Sequence, residues 1–164
     1  MKSNLKIIFF YALLFLFVQT IAADVVSGDY GKNIHWTFDK ASGVLTFSGK
    51  GEMTNDKSVP KDWNNFRLRI KKIIITNGIT SINDRAFENC KNTTDITIPP
   101  SVKRIGKSVF EGCVNLSGVY ITDLSAWCKM EMQTLPLNYA NKLFVNGKIL
   151  TDLVIPDDIT ELGL

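Results

Sequence analysis

Residues 73–90 read IIITNGITSINDRAFENC, residues 96–113 read ITIPPSVKRIGKSVFEGC, and the two stretches superpose at an offset of 23 without a gap. Seven landmarks coincide: Ile73, Ile75, Ile79, Ile82, Ala86, Phe87 and Cys90 fall on Ile96, Ile98, Val102, Ile105, Val109, Phe110 and Cys113. Apolar residues scattered by chance do not hold register over that length. A fixed period in the twenties marks a repeat architecture, in which each unit buries its apolar side only against its neighbours. Within one unit, Ile96-Thr97-Ile98 alternates as a short strand and Pro99-Pro100 stops it. Residues 105–110, with Gly106, make a second bend and a helical turn. Stacked units of this kind predict narrow parallel sheets.

Downstream the copies loosen. Leu116, Val119 and Ile121 open a third unit in register, but Ser125-Ala126-Trp127-Cys128 and residues 130–139 replace the expected isoleucine and phenylalanine. The pattern restarts at residues 150–156 (LTDLVIP), with Ile159, Leu162 and Gly163 on the positions of Val102, Ile105 and Gly106. That restart gives the third unit 34 residues and an 11-residue insertion, in which Asn146-Gly147 signals a tight hairpin turn between apolar strands. Upstream, Ile34, Trp36 and Phe38 alternate with His35 and Thr37, a loop follows to Gly43, and residues 44–48 return as a second strand. This hairpin has one apolar face and is placed to cap the open edge of the first unit.

The composition describes two segments. The whole chain of 164 residues is 45% hydrophobic with a net charge of +3, but residues 1–23 hold 17 of the hydrophobic residues and two of the lysines. Lys2 and Lys6 followed by an apolar run over residues 7–18 and a small-residue segment ending at Ala23 read as a secretory signal peptide, too short to span a bilayer. The remaining 141 residues carry a net charge of +1, which removes the electrostatic case for nucleic-acid binding. No later apolar run reaches spanning length, so no integral membrane span is expected after cleavage. The organisation expected is a signal peptide at 1–23, a β-hairpin capping unit and linker at 24–66, and repeats at 67–164. The repeat units fall at about 70–92, 93–115, 116–149 with the insertion, and 150–164 incomplete.

The spacing of Ile-x-Ile-Pro, Ile-Gly, Phe and Cys resembles the BspA-like leucine-rich repeats of surface proteins in anaerobic bacteria and parasitic protists. Trp36-Thr-Phe-Asp39, residues 43–53 (GVLTFSGKGEM) and Trp63 are similar to the segment that often precedes those repeats. Residues 124–128 (LSAWC), 136–139 and 150–156 resemble a longer variant unit of the same family. The resemblance covers roughly residues 28–164 and implies a mostly β leucine-rich-repeat solenoid with short helical turns. It further implies a secreted or cell-surface location, adhesion or protein binding with extracellular, host-surface or matrix proteins as partners, no cofactor, and no catalytic residues. The last unit stops at Leu164, before its phenylalanine and cysteine, so the chain is expected to be a fragment of a longer array or a short product with a frayed last unit. The rival to a binding module is a structural N-terminal segment of a longer surface repeat protein.

Site chemistry is sparse. His35 stands on the hairpin face opposite the apolar residues and lacks a metal-ligand or base motif. Gly49-Lys50-Gly51 is too short for a dinucleotide fingerprint and reads as a turn or bulge. Cys128 has no base beside it in sequence. Cys90 and Cys113 occupy equivalent rungs about 5 Å apart, a distance that permits a disulfide, with stacked interior thiols as the expected state. Asn92-Thr-Thr94 and Asn115-Leu-Ser117 fit the N-glycosylation pattern, or else their amides bond backbone groups in the turn. If Ile73/Ile75, Ile96/Ile98, Val119/Ile121 and Leu153/Ile155 point inward, alternation lines Ile74, Thr97, Tyr120 and Val154 on the outer face, with Lys72, Asp95 and Asp152 at its rim. That row is a candidate partner-binding strip, unless residues 130–139 fold over it and make it core.

Overall fold

The computed structural model describes residues 24–54, 61–152, 154–160 and 163; the signal-peptide reading of residues 1–23 lies outside them. The chain is mostly β. Its strands are β1 (Val25–Tyr30), β2 (Ile34–Asp39), β3 (Val44–Gly49), β4 (Gly51–Glu52), β5 (Lys72–Ile75), β6 (Ile79–Ile82), β7 (Asp95–Thr97), β8 (Arg104–Ile105), β9 (Gly118–Ile121), β10 (Glu131–Met132), β11 (Lys142–Val145) and β12 (Lys148–Ile149). Among the described residues a short helix, α1 (Leu124–Cys128), and 3-10 turns at Asp62–Phe66 and Pro136–Asn138 accompany them.

The 23-residue period becomes one rung of a parallel ladder. Strands β5, β7 and β9 begin at Lys72, Asp95 and Gly118, and Ile73 pairs with Ile96, which pairs with Val119. They belong to an eight-stranded sheet in the order β1-β2-β3-β5-β7-β9-β11-β12, and a four-stranded sheet runs β10-β8-β6-β4. The second halves of the units make that smaller sheet, with Ile82 against Ile105 and Ile105 against Met132. The expected inward residues Ile73, Ile75, Ile96, Ile98, Val119 and Ile121 are all buried.

Between the strands a column of rings runs through the core. Tyr30 meets Trp63 at 4.7 Å between centroids, Trp63 meets Phe47 at 4.9 Å, and Phe47 meets Phe87 at 5.7 Å. Phe87 stacks on Phe110 at 6.0 Å, and Phe110 meets Tyr139 at 6.4 Å. Side chains also tie one unit to the next: Trp63 Nε1 donates to Ala86 O at 3.1 Å and Thr93 Oγ1 to Ile70 O at 3.1 Å, each across 23 residues. Such bonds satisfy carbonyls that the turns would otherwise bury unpaired. Backbone conformation repeats as well, since Arg85 and Ser108 share a left-handed φ of 52°, and Asn89 (61°) is matched by Gly112 (75°).

The expected N-terminal hairpin is β2–β3, with Ile34, Trp36, Phe38, Leu45 and Phe47 buried. It gains a strand the sequence does not announce: β1 pairs antiparallel with β2 from Val25–Asp39 to Tyr30–Ile34. Its central Ser27, Gly28 and Asp29 have weak strand propensity, which pairing with β2 overrides. Strand β3 then joins β5 in parallel, Leu45 against Ile73, so the meander and the repeats share one sheet. Gly49 and Gly51 have φ of 119° and 97° at an irregularity in the β4–β6 pairing, which fits the turn or bulge expected there.

One rung is not where the sequence reading puts it. The strand following β9 is β11, with Leu143 against Val119 and Phe144 against Tyr120, rather than the motif-like residues 150–156. Residues 118 and 142 are 24 apart, close to one period, so chain length rather than motif likeness sets the next rung. The predicted Asn146-Gly147 turn follows, with both residues at positive φ (51° and 78°), and returns β12 antiparallel to β11. Ile155, expected inward, is 49% exposed, and Leu153 lies outside the described residues. Gly163 does not take the place of Gly106 either: Gln133 N–H donates to Ile105 O at 2.9 Å as Gly106 N–H donates to Ile82 O at 2.9 Å, whereas Gly163 N–H donates to Cys128 O at 3.0 Å and its carbonyl accepts from Met132 N–H at 2.9 Å.

Candidate functional site: the outer face of the large sheet

Strand alternation carries one row of outward side chains across all eight strands: Ser27, Thr37, Thr46, Ile74, Thr97, Tyr120, Phe144 and Ile149 are successive register partners. At one end the row is hydroxylic and at the other aromatic and aliphatic. Beside it runs a second row, Lys72, Asp95, Gly118 and Lys142. The sequence-predicted residues Lys72, Ile74, Asp95, Thr97 and Tyr120 are thus brought together on one face. Asp152 and Val154 are not. Both are exposed outside the sheet, Val154 at 77%, and Lys142 and Phe144 hold the places assigned to them. Counting one period on from Tyr120 finds Phe144 within a residue.

The face is built around a missing side chain. Tyr120 and Phe144 stack with centroids 4.4 Å apart and planes 4° from parallel. A Cβ on Gly118 would stand 2.9 Å from Tyr120 Cε2 and 2.7 Å from an Asp95 carboxylate oxygen, so glycine is what lets the ring and the carboxylate lie over that strand. The Lys72 ammonium sits 5.7 Å from the Tyr120 ring centroid, in cation–π range. Thr94 Oγ1 donates to Asp95 at 2.6 Å. Partial burial, followed by the hydrogen bond and charge of Asp95, raises the Tyr120 phenol above its ordinary range. Tyr120 therefore presents a neutral phenol.

Residues 130–139 do not fold over this face. Met130, Met132, Leu135 and Leu137 line an apolar cavity of about 510 Å3 with Trp127 and Leu143, the inward neighbour of Phe144. Cys128 lines the same cavity, and burial and the Asp158 charge push its thiol up, the opposite of what an activated nucleophile needs. Cys90 and Cys113 are free, buried thiols pushed up to about 12 and about 11, first of all by burial; Cys113 Sγ donates to Phe87 O at 3.0 Å. His35 is exposed and hydrogen-bonds Asp29. Asn92 and Asn115 are exposed, and each donates its amide to the preceding unit, to Leu68 O at 2.6 Å and Lys91 O at 2.8 Å. Among the described residues no group of three His, Cys, Asp or Glu side chains could hold a metal ion, and no helix is long and apolar enough to cross a membrane.

Parallel rungs at a 23-residue period, with an exposed row on one sheet, define a leucine-rich-repeat class of protein. The chain belongs to the BspA type leucine rich repeat region family, whose pattern it matches in six copies over residues 63–164. Among solved structures it is similar to a leucine-rich repeat protein from Eubacterium ventriosum, with 22% identity, a TM-score of 0.48, and coverage of 76% of this chain and 33% of that one. A leucine rich cell surface protein from Faecalibacterium prausnitzii matches at 18% identity and a TM-score of 0.33, over 72% of this chain and 32% of that one. The T. pallidum leucine rich repeat protein matches at 15% identity and a TM-score of 0.28, over 71% and 64% respectively. The chain spans about a third of the length of the first two. No curated protein matches it.

Proposed function

We propose that this chain is an exported, non-catalytic adhesion or protein-binding module whose repeats form a solenoid, with the β1–β3 meander capping the first unit. Residues 1–23 support export, because they combine two lysines with an uninterrupted apolar core. Its partners are extracellular, host-surface or matrix proteins, and it acts at the cell surface or after secretion. Contact is made through Ile74, Thr97, Tyr120 and Phe144, with Lys72, Asp95 and Lys142 as the polar rim. The observation that carries this reading is the partly exposed Tyr120–Phe144 stack in a row whose other end is hydroxylic. A protein interface concentrates its energy in such aromatic anchors, bordered by charge. Replacing Tyr120 with Asp should abolish binding to immobilised matrix proteins in surface plasmon resonance while leaving the thermal transition in place. Retained binding by Tyr120→Asp refutes the strip.

A second reading follows from length, since the chain spans only a third of two solved relatives. In it, this segment supports a binding surface carried by further repeats. Binding that appears only when more repeats are joined to it selects that alternative.

A further inference from the structure

The net charge of the chain conceals a local concentration. Residues 67–72 read RLRIKK, placing Arg67, Arg69, Lys71 and Lys72 within six positions. Ile70 is buried and anchors this run, leaving Arg67, Arg69 and Lys71 exposed. Gly43, at the end of the β2–β3 turn, packs against it. A Cβ there would lie 2.8 Å from Arg69 O and 2.9 Å from Lys71 Cγ. The result is a cleft of about 600 Å3 lined by Lys40, Ala41, Leu68, Arg69, Lys71, Asn92 and Thr94. A second depression, which shares Leu68 and Arg69, adds Arg67.

The guanidinium of Arg69 is held at the cleft wall by a 3.2 Å bond to Lys40 O and by the Phe38 ring, 6.0 Å away. Nearby carboxylates hold partners other than Arg69 and Lys71. Asp24 pairs with Lys40, Asp39 accepts from Ser42 and Ala41, and Asp95 accepts from Thr94. Among the described residues, Arg67, Arg69, Lys71 and Lys91 form no ion pair.

The repeats themselves indicate that stacking does not need these cations. One period after Arg69 and Lys71 stand Asn92 and Thr94, and one period further Asn115 and Ser117. Those four neutral residues bond the carbonyls of the preceding unit. The positive charge is an addition peculiar to the first unit, placed where the chain also forms a concave wall.

We propose that this cleft binds a sulfated polysaccharide. Arg69 and Lys71, the cations of this cleft without an ion pair, line one concavity suited to closely spaced sulfates, with Lys40 held by Asp24 at its edge and the arginine fork matching an oxyanion bidentately. Asn92 keeps a second amide N–H beyond its bond to Leu68 O, and Thr94 Oγ1, its proton donated to Asp95, offers an acceptor at the sugar level. A nucleic acid fits less well, because the neighbouring Phe66 ring is stacked on buried Phe38 at 5.0 Å and is not presented to a base. A lipid surface fits less well because the site is concave and Leu68 is its one strongly exposed large apolar residue.

The repeats supply fold-compatible substitutions for the test. A heparin-derived hexasaccharide is titrated calorimetrically into protein lacking residues 1–23 at several salt concentrations. The expected result is binding that weakens linearly on a log–log plot against salt. Arg69→Asn/Lys71→Thr should weaken it at least tenfold, and Lys71→Thr alone severalfold, with the thermal transition unchanged in the single variant. Tyr120→Asp should leave glycan binding intact, which separates this site from the strip. The proposal is overturned by an absence of hexasaccharide binding, by equal affinity in the double variant, or by equal affinity for the desulfated sugar. Duplex DNA or phosphatidylserine vesicles binding as tightly as the hexasaccharide would also overturn it, as charge alone would then suffice.

Discussion

Phe110→Ala tests whether the units stand or fall with their neighbours. The side chain is wholly buried, and its ring faces Phe87 at 6.0 Å on one side and Tyr139 at 6.4 Å on the other. Truncation removes both contacts and leaves a cavity in the column of rings, at a cost of about 3–5 kcal/mol for a buried phenylalanine. With a urea dependence of about 2 kcal/mol per molar, the unfolding midpoint should fall by about 2 M. The location of the loss matters more than its size. Because each unit is bonded chiefly to the units on either side, destabilisation should be greatest from β7 onward, while the β2–β3 hairpin keeps Trp63 and Phe47 packed. Hydrogen exchange read by mass spectrometry should show amides of β9 and β11 exchanging at least 30-fold faster in the variant, with those of β2 and β3 within about threefold of wild type. A uniform acceleration across all strands, or a midpoint shift below about 0.5 M, would refute the column as a sequence of locally coupled units.

Other consequences are open to measurement. Asn115→Ala removes the 2.8 Å bond to Lys91 O and should cost about 0.5–1.5 kcal/mol, lowering the melting temperature by a few degrees; no shift would mean that the asparagine ladder carries no stability. Gly106→Ala would place a methyl group 2.3 Å from Asp84 Oδ1 and 2.8 Å from Asp84 N, so calorimetry should find it more damaging than the asparagine change. Native protein should expose one thiol, Cys128, to a disulfide reagent at pH 8, and three only after denaturation. Burial raises the Cys90 and Cys113 pKa values on folding, so their neutral-thiol contribution is whole below about pH 9 and is lost as the pH climbs to about 11 and 12. The urea midpoint should therefore fall over that window, and fall less in Cys90→Ala.

The parts of the fold legible in the sequence are those in which one residue type does one job at a fixed spacing. Ile73, Ile96 and Val119 announce the ladder because an inward strand position admits little else. Residues 150–156 misled because their resemblance to residues 96–100 is local, whereas pairing obeys the chain length needed to go once round a unit. For the same reason Phe144, and not Val154, follows Tyr120 in the outward row. Strand β1 carries Ser27, Gly28 and Asp29, and its existence depends on β2 beside it. In the smaller sheet Ile82 and Ile105 show in the repeat, but the two-residue strand Glu131–Met132 leaves no periodic trace. Of the basic cleft, the run at residues 67–72 stands in the sequence, but the wall opposite it does not, since only the fold brings Lys40 to Arg69 across 29 residues.

The outermost strands of the large sheet, β1 and β12, are both antiparallel to their neighbours, and every parallel pairing lies between them. An in-frame duplication of one repeat inserted between β5 and β7 would meet the same partners above and below that those strands meet now. Neither bounding hairpin would change. Such an architecture can lengthen or shorten by whole repeats during evolution, so the reach of its outer face can vary among descendants.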